Sequence, residues 1–169
     1  KELPSGVRSQ VGLLYLLARM SDTIADSECG STEDRLTALK QYNEYAQGRS
    51  DTPPDLSELA RLQRIGSERK LLESVAATVS CIGQFSDSDQ LHIRRYLDII
   101  VGGQSLDLQR FSAVSERQIV ALEDDGELDD YAYRVAGSVG EFWTRMTLDH
   151  LYDADAQTEA VLFEKGVRF

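Results

Sequence analysis

Apolar residues recur at helical spacing along almost the whole chain, and the strict alternation that marks strands is nearly absent. From Ser5 to about Ser27 they fall on most sides of the helix, the pattern of a core helix buried all round. Glu28-Cys29-Gly30-Ser31 interrupts that run, and Ser31 or Thr32 with Glu33 and Asp34 opens a polar helix to about Gln47. After a turn over 48–54, Asp55 or Ser57 begins a third helix. Its Leu59, Leu62, Ile65, Leu72, Val75 and Val79 keep the period towards Ile82, with Gly66 inside the pattern. Ser86-Asp87-Ser88-Asp89 caps a fourth helix to about Phe111. Ser115 and Glu116 begin a short fifth, and a sixth runs from Glu127 to about Leu151. With short connections and no repeat, this predicts an all-α fold, a helical bundle formed by one domain over residues 1–169.

Composition narrows the partners. The chain has 169 residues, 41% of them apolar and three of them proline, enough to bury a real core. Its 18 basic and 29 acidic residues give a net charge of −11, and such a surface repels phosphate backbones, so nucleic acid is not an expected partner. Cys29 and Cys81 form neither a disulfide framework nor a zinc motif, which fits a reducing cytoplasm. No run approaches the roughly 18 apolar residues of a membrane span, although an apolar substrate would still bring the protein to a membrane surface.

The first helix carries one polar seam. At about 100° per residue, Tyr15, Arg19, Asp22 and Asp26 fall within roughly a 60° arc, while Leu13, Leu16, Leu17, Met20 and Ile24 lie elsewhere. Two buried carboxylates require a neutralising cation, and Arg19 meets only part of that need. A hard ion such as magnesium suits Asp residues one turn apart and commonly bridges to phosphates. The same spacing also suits an ordinary Arg–Asp network at a helix end. On the fourth helix, Ile93, Leu97, Ile100, Gln104, Asp107, Leu108 and Phe111 share a stripe that Gln104 and Asp107 interrupt. On the sixth, Tyr131, Val135, Ser138 and Phe142 align, and Ala136, Gly137 and Gly140 permit close approach by a ligand or by another helix. Trp143 and Phe142 read as core before substrate contacts, and His92 and His150 as solvated or core-satisfied rather than as ligands. The run Glu123-Asp124-Asp125 reads as a solvated connection.

Three blocks in order carry a family resemblance. Residues 15–26, Tyr-Leu-Leu-Ala-Arg-Met-Ser-Asp-Thr-Ile-Ala-Asp, resemble the first aspartate-rich region of squalene and phytoene synthases. Residues 130–143 resemble that family's tyrosine-then-VAGxVG signature, with Ala132 where many members have cysteine. Residues 99–108 look like the helix preceding it, with Gln104 where methionine is frequent. The resemblance implies a helical fold of the isoprenoid synthase type and head-to-head joining of two prenyl diphosphates. By the same resemblance, Asp22 and Asp26 would be magnesium ligands and take part in catalysis, and Tyr131 would orient diphosphate or assist proton removal. Tyr15, Arg19, Gln104, Asp107, Val135, Gly137 and Gly140 would contact substrate. The family's second aspartate-rich helix has no counterpart in this sequence, so the chain is expected to be a fragment that is inactive or nearly so alone.

The stretch from Val135 to Trp143, including Gly140-Glu141-Phe142-Trp143, looks more like bacterial squalene-type members than phytoene-type ones, making farnesyl diphosphate the expected substrate. Phytoene synthesis from geranylgeranyl diphosphate is the alternative, and a non-catalytic binding or assembly role a further one. Reduction to squalene would call for NADPH, for which the sequence holds no glycine-rich dinucleotide fingerprint.

Overall fold

A computed structural model describes residues 3–27, 30–111, 122 and 124–168. The described residues form helices and contain no strand, as the periodicity predicts. Helix α1 spans Ser5–Ala25 and α2 spans Thr32–Ala46. Helix α2 starts with a full capping box: the Ser31 hydroxyl accepts from the Asp34 amide, and the Asp34 carboxylate accepts from the Ser31 amide. Gly30, just before it, adopts φ +78, a backbone state that glycine reaches without steric cost.

The single third helix expected towards Ile82 is instead three short ones, α3 (Ser57–Leu62), α4 (Gly66–Glu73) and α5 (Val75–Ser80), closed by a 3₁₀ turn at Cys81–Gln84. The chain turns extended at Gln63 and Ile65, and Ser74 spends its hydroxyl on the Leu71 carbonyl. Local side-chain bonding of this kind competes with a continuous helix. Helix α6 spans Asp87–Phe111. The expected short helix at Ser115 and Glu116 lies outside the described residues.

The expected sixth helix is present with a change of register inside it. Helix α7 (Asp125–Ala132) passes through a π-helical turn at Tyr133–Gly137 into α8 (Ser138–His150). The wider turn rotates all that follows by about one residue. A final helix, α9 (Ala156–Arg168), was not anticipated from the sequence.

The core gathers where α1, α2, α6 and α8 meet. Leu17, Met20 and Ile24 of α1 pack with Leu39 and Tyr42 of α2, Ile93, Tyr96 and Leu97 of α6, and Phe142 and Met146 of α8. The buried Tyr42 hydroxyl donates to the Leu17 carbonyl at 2.9 Å, and Tyr96 and Phe142 meet edge to face at 5.4 Å between centroids. Helix α1 is not buried all round: Tyr15 and Leu16 are exposed, and at its C-terminal end Asp22 is half-buried and Asp26 exposed, so the two carboxylates open onto a cavity and are not both buried as expected.

Candidate functional site

Two cavities adjoin between α1, α6 and α8. The first, of about 520 Å³, is lined by Asp22 and Asp26 of α1's C-terminal end, Arg35 of α2, Gln104 and Asp107 of α6, and Val135 of the π turn. The second, of about 420 Å³, is walled by Val11, Gly12, Leu14, Tyr15, Phe142 and Trp143, among others, and is almost wholly apolar. Ala18, Ile100 and Val139 belong to both walls. An acidic chamber thus shares its inner wall with a hydrophobic one, and side chains from three helices form the partition.

The acidic chamber gathers carboxylates that the protein neutralises only in part. Burial raises the Asp22 carboxyl above its ordinary range, the Asp26 charge raises it further, and a hydrogen bond from Gln104 and the positive charge of Arg19 offset this in part. Burial likewise raises Asp107, with Arg110 opposing and Asp26 adding to the shift. Gln104 Oε1, Asp107 Oδ1 and Arg35 Nε are buried without a hydrogen-bond partner. Orphaned polar atoms beside paired carboxylates are what a hydrated cation and its anionic ligand would satisfy, so the residues fit a magnesium-bound diphosphate. Among the described residues no group of three His, Cys, Asp or Glu is arranged to hold a metal by itself. Asp22 and Asp26 are the residues that would hold such an ion.

Of the residues singled out from the sequence, Asp22, Asp26, Gln104, Asp107 and Val135 line the acidic chamber, and Tyr15, Phe142 and Trp143 line the apolar one. The others go elsewhere. Arg19 is drawn sideways into an ion pair with Glu68 on α4 and lines neither cavity. Tyr131 is half-buried on α7 and lines neither wall; the π turn breaks the alignment with Ser138 and Phe142 that a continuous helix would give. Gly137 and Gly140 face α9: a side chain on Gly137 would come within 2.8 Å of the Val167 carbonyl, and one on Gly140 would collide with the Gly166 carbonyl. Their smallness serves helix packing here, the other of the two roles considered for them. His92 and His150 pair with Asp149 and Asp89, in keeping with structural histidines.

Sequence reading missed Arg35. Its available signal was a cation in the first turns of a helix, where the dipole disfavours it. Ala18 and Val139 were missed as well, since small apolar residues on buried helices carry no distinguishing mark.

A family model described as squalene/phytoene synthase matches residues 1–163. A bifunctional lycopene cyclase/phytoene synthase from Blakeslea trispora is 29% identical over 150 residues, which cover 86% of this chain and 22% of that protein. The chain thus spans about a fifth of the length of this relative. No solved structure matches at a significant level.

Proposed function

The chain belongs to the squalene/phytoene synthase family, and from that premise we propose that the protein carrying it joins two allylic prenyl diphosphates head to head. The supporting observation is the acidic chamber backed directly onto an apolar one, with Ala18, Ile100 and Val139 in both walls. A charged head group and a long hydrocarbon tail need such neighbouring compartments. Magnesium held by Asp22 and Asp26 would supply Lewis-acid withdrawal of negative charge from the departing pyrophosphate. Gln104 fixes the Asp22 carboxylate by donating to it, so the ligand is oriented before substrate arrives. Phe142, Trp143, Val11 and Leu14 exclude water from the tail and from the allylic cation left after ionisation, which water would quench.

Farnesyl diphosphate is the proposed substrate, on the resemblance of Gly140-Glu141-Phe142-Trp143 to squalene-type members. Geranylgeranyl diphosphate is the second reading, favoured by the Blakeslea trispora relative, whose description includes phytoene synthase. A reductive step to squalene would need NADPH. We place the activity in the cytoplasm at a membrane surface, to which an apolar product would draw it. Among the described residues no helix is long and apolar enough to cross a membrane.

The test is magnesium-dependent pyrophosphate release by the longest natural protein that carries this sequence, offered each diphosphate separately, with product extraction. Release is expected with farnesyl diphosphate, giving presqualene diphosphate or squalene, and the chain alone is expected to show little. Phytoene from the longer substrate would move the reading to the alternative. No release from either would favour a binding or assembly role. Asp22→Ala and Asp26→Ala should each abolish release, and normal turnover in both would sink the metal assignment.

A further inference from the structure

We propose that Arg35 supplies the cationic contact for the substrate diphosphate in the acidic chamber, the role that sequence reasoning gave to Arg19. This rests on the head-group reading of that chamber. Among the described residues lining it, Arg35 is the one basic side chain, set in the same wall as Asp22, Asp26 and Asp107. Arg19 shares the seam with Asp22 but is committed to an ion pair with Glu68 on α4 and lines neither cavity.

The dipole of its own helix disfavours Arg35, and that of α1, whose last carbonyl it meets, favours it. It lies four residues after the Ser31 cap, where the positive end of the helix dipole repels a cation. One part of the compensation is visible: Nη1 donates to the Ala25 carbonyl at 3.0 Å and Nη2 to the Thr32 hydroxyl at 3.2 Å. The first bond holds the guanidinium against the C-terminal end of α1, one residue before Asp26; the second stays within α2. They use two of its five N–H groups, and Nε remains buried with no partner. Among the described residues Arg35 forms no ion pair, although carboxylates share the cavity with it. A planar fork lining the chamber, with N–H groups beyond the two already bonded, is suited to an oxyanion rather than to a lone carboxylate. Diphosphate bound to magnesium between Asp22 and Asp26 would bring its oxygens to that donor set.

The alternative is a purely structural Arg35 that ties α2 to the end of α1, and the experiment separates the two. Inorganic pyrophosphate with magnesium is titrated calorimetrically into the longest natural protein carrying this sequence, with thermal unfolding recorded for each variant. Arg35→Gln is expected to weaken pyrophosphate binding at least about tenfold, the loss of one charge-assisted contact, and by more than Arg19→Gln does. Thr32→Val removes the bond within α2 that helps orient the guanidinium, and no charge, and should change the affinity by less than about twofold. Should Arg35→Gln fail to fold, Arg35→Lys carries the test, because it keeps the charge and loses the fork; it should weaken binding at an unchanged melting temperature. Unaltered affinity in the Arg35 variants overturns the inference. Weakening by Thr32→Val in proportion to its lost stability overturns it too, marking a structural role for the side chain. Absence of pyrophosphate binding by the unmodified protein fails the chamber reading itself, so the two failures are distinct.

Discussion

Asp22 shows how a single side chain can be placed against its own stability. Burial and the neighbouring Asp26 charge raise its carboxyl above the ordinary value of 3.8, so its ionised form is less at ease in the fold than in the unfolded chain. Ionised Asp22 therefore costs stability above the folded value, and that cost disappears as pH falls below the ordinary one. Asp22→Asn should stabilise the metal-free protein at pH 7 by up to about 1 kcal/mol, or roughly 2–4 °C. The gain should fade in acid and be accompanied by loss of magnesium-dependent pyrophosphate binding. A variant less stable than the parent at pH 7 would show that the carboxylate is already satisfied. The pairing of Asp22 with Asp26 was legible in the sequence because helical spacing fixes it. The diversion of Arg19 was not, since Glu68 lies 49 residues away and reaches it only through the packing of α4.

At the scale of elements, periodicity located α1, α2 and α6 within two residues or so, and each of these has a polar cap or a sustained apolar stripe. It failed where local chemistry cut across the period. Gln63, Ile65 and Ser74 break the third helix, and the π turn at Tyr133–Gly137 shifts the register of a run whose hydrophobic pattern looks continuous. That shift turns Gly137 and Gly140 towards α9, where backbone nearly meets backbone. On α6, Gly103 plays a similar part, since a side chain there would lie 2.9 Å from Arg134 Cβ. Gly140→Val cannot be accommodated by moving a flexible side chain, because the obstacle is the Gly166 carbonyl. It should destabilise the protein by about 2–3 kcal/mol, read as a lower denaturant midpoint at unchanged slope. A neutral outcome would mean that α8 and α9 do not cross at these glycines.

Across the whole molecule, the end of the bundle away from Asp22 is fastened by a buried polar knot. Asp89 of α6, only 4% exposed, accepts from Gln10 of α1 at 3.2 Å and bonds His150 of α8 at 2.7 Å. Burial alone would raise its carboxyl, but the bonds from His150, Gln10 and Ser86 prevail and hold it below 3.8. A depressed carboxylate contributes stability that is fully present above its unfolded value and is lost as pH falls through the folded one. Asp89→Asn should therefore cost about 1–3 kcal/mol at neutral pH, and the gap to the parent should start to close only as pH falls below 3.8. A gap that persists in acid would assign the loss to packing rather than to charge. Three helices meeting through one carboxylate were invisible in the sequence, where Asp89 reads as part of a helix cap.

The partition made by Ala18, Ile100 and Val139 also constrains how such a protein can evolve. A residue that faces two compartments is pleiotropic: enlarging it to shorten the space for hydrocarbon also crowds the charged chamber behind it. Under the proposed reading, lineages that alter product length while keeping turnover should change Val11, Gly12 or Trp143, which face the apolar side alone, and leave the partition fixed.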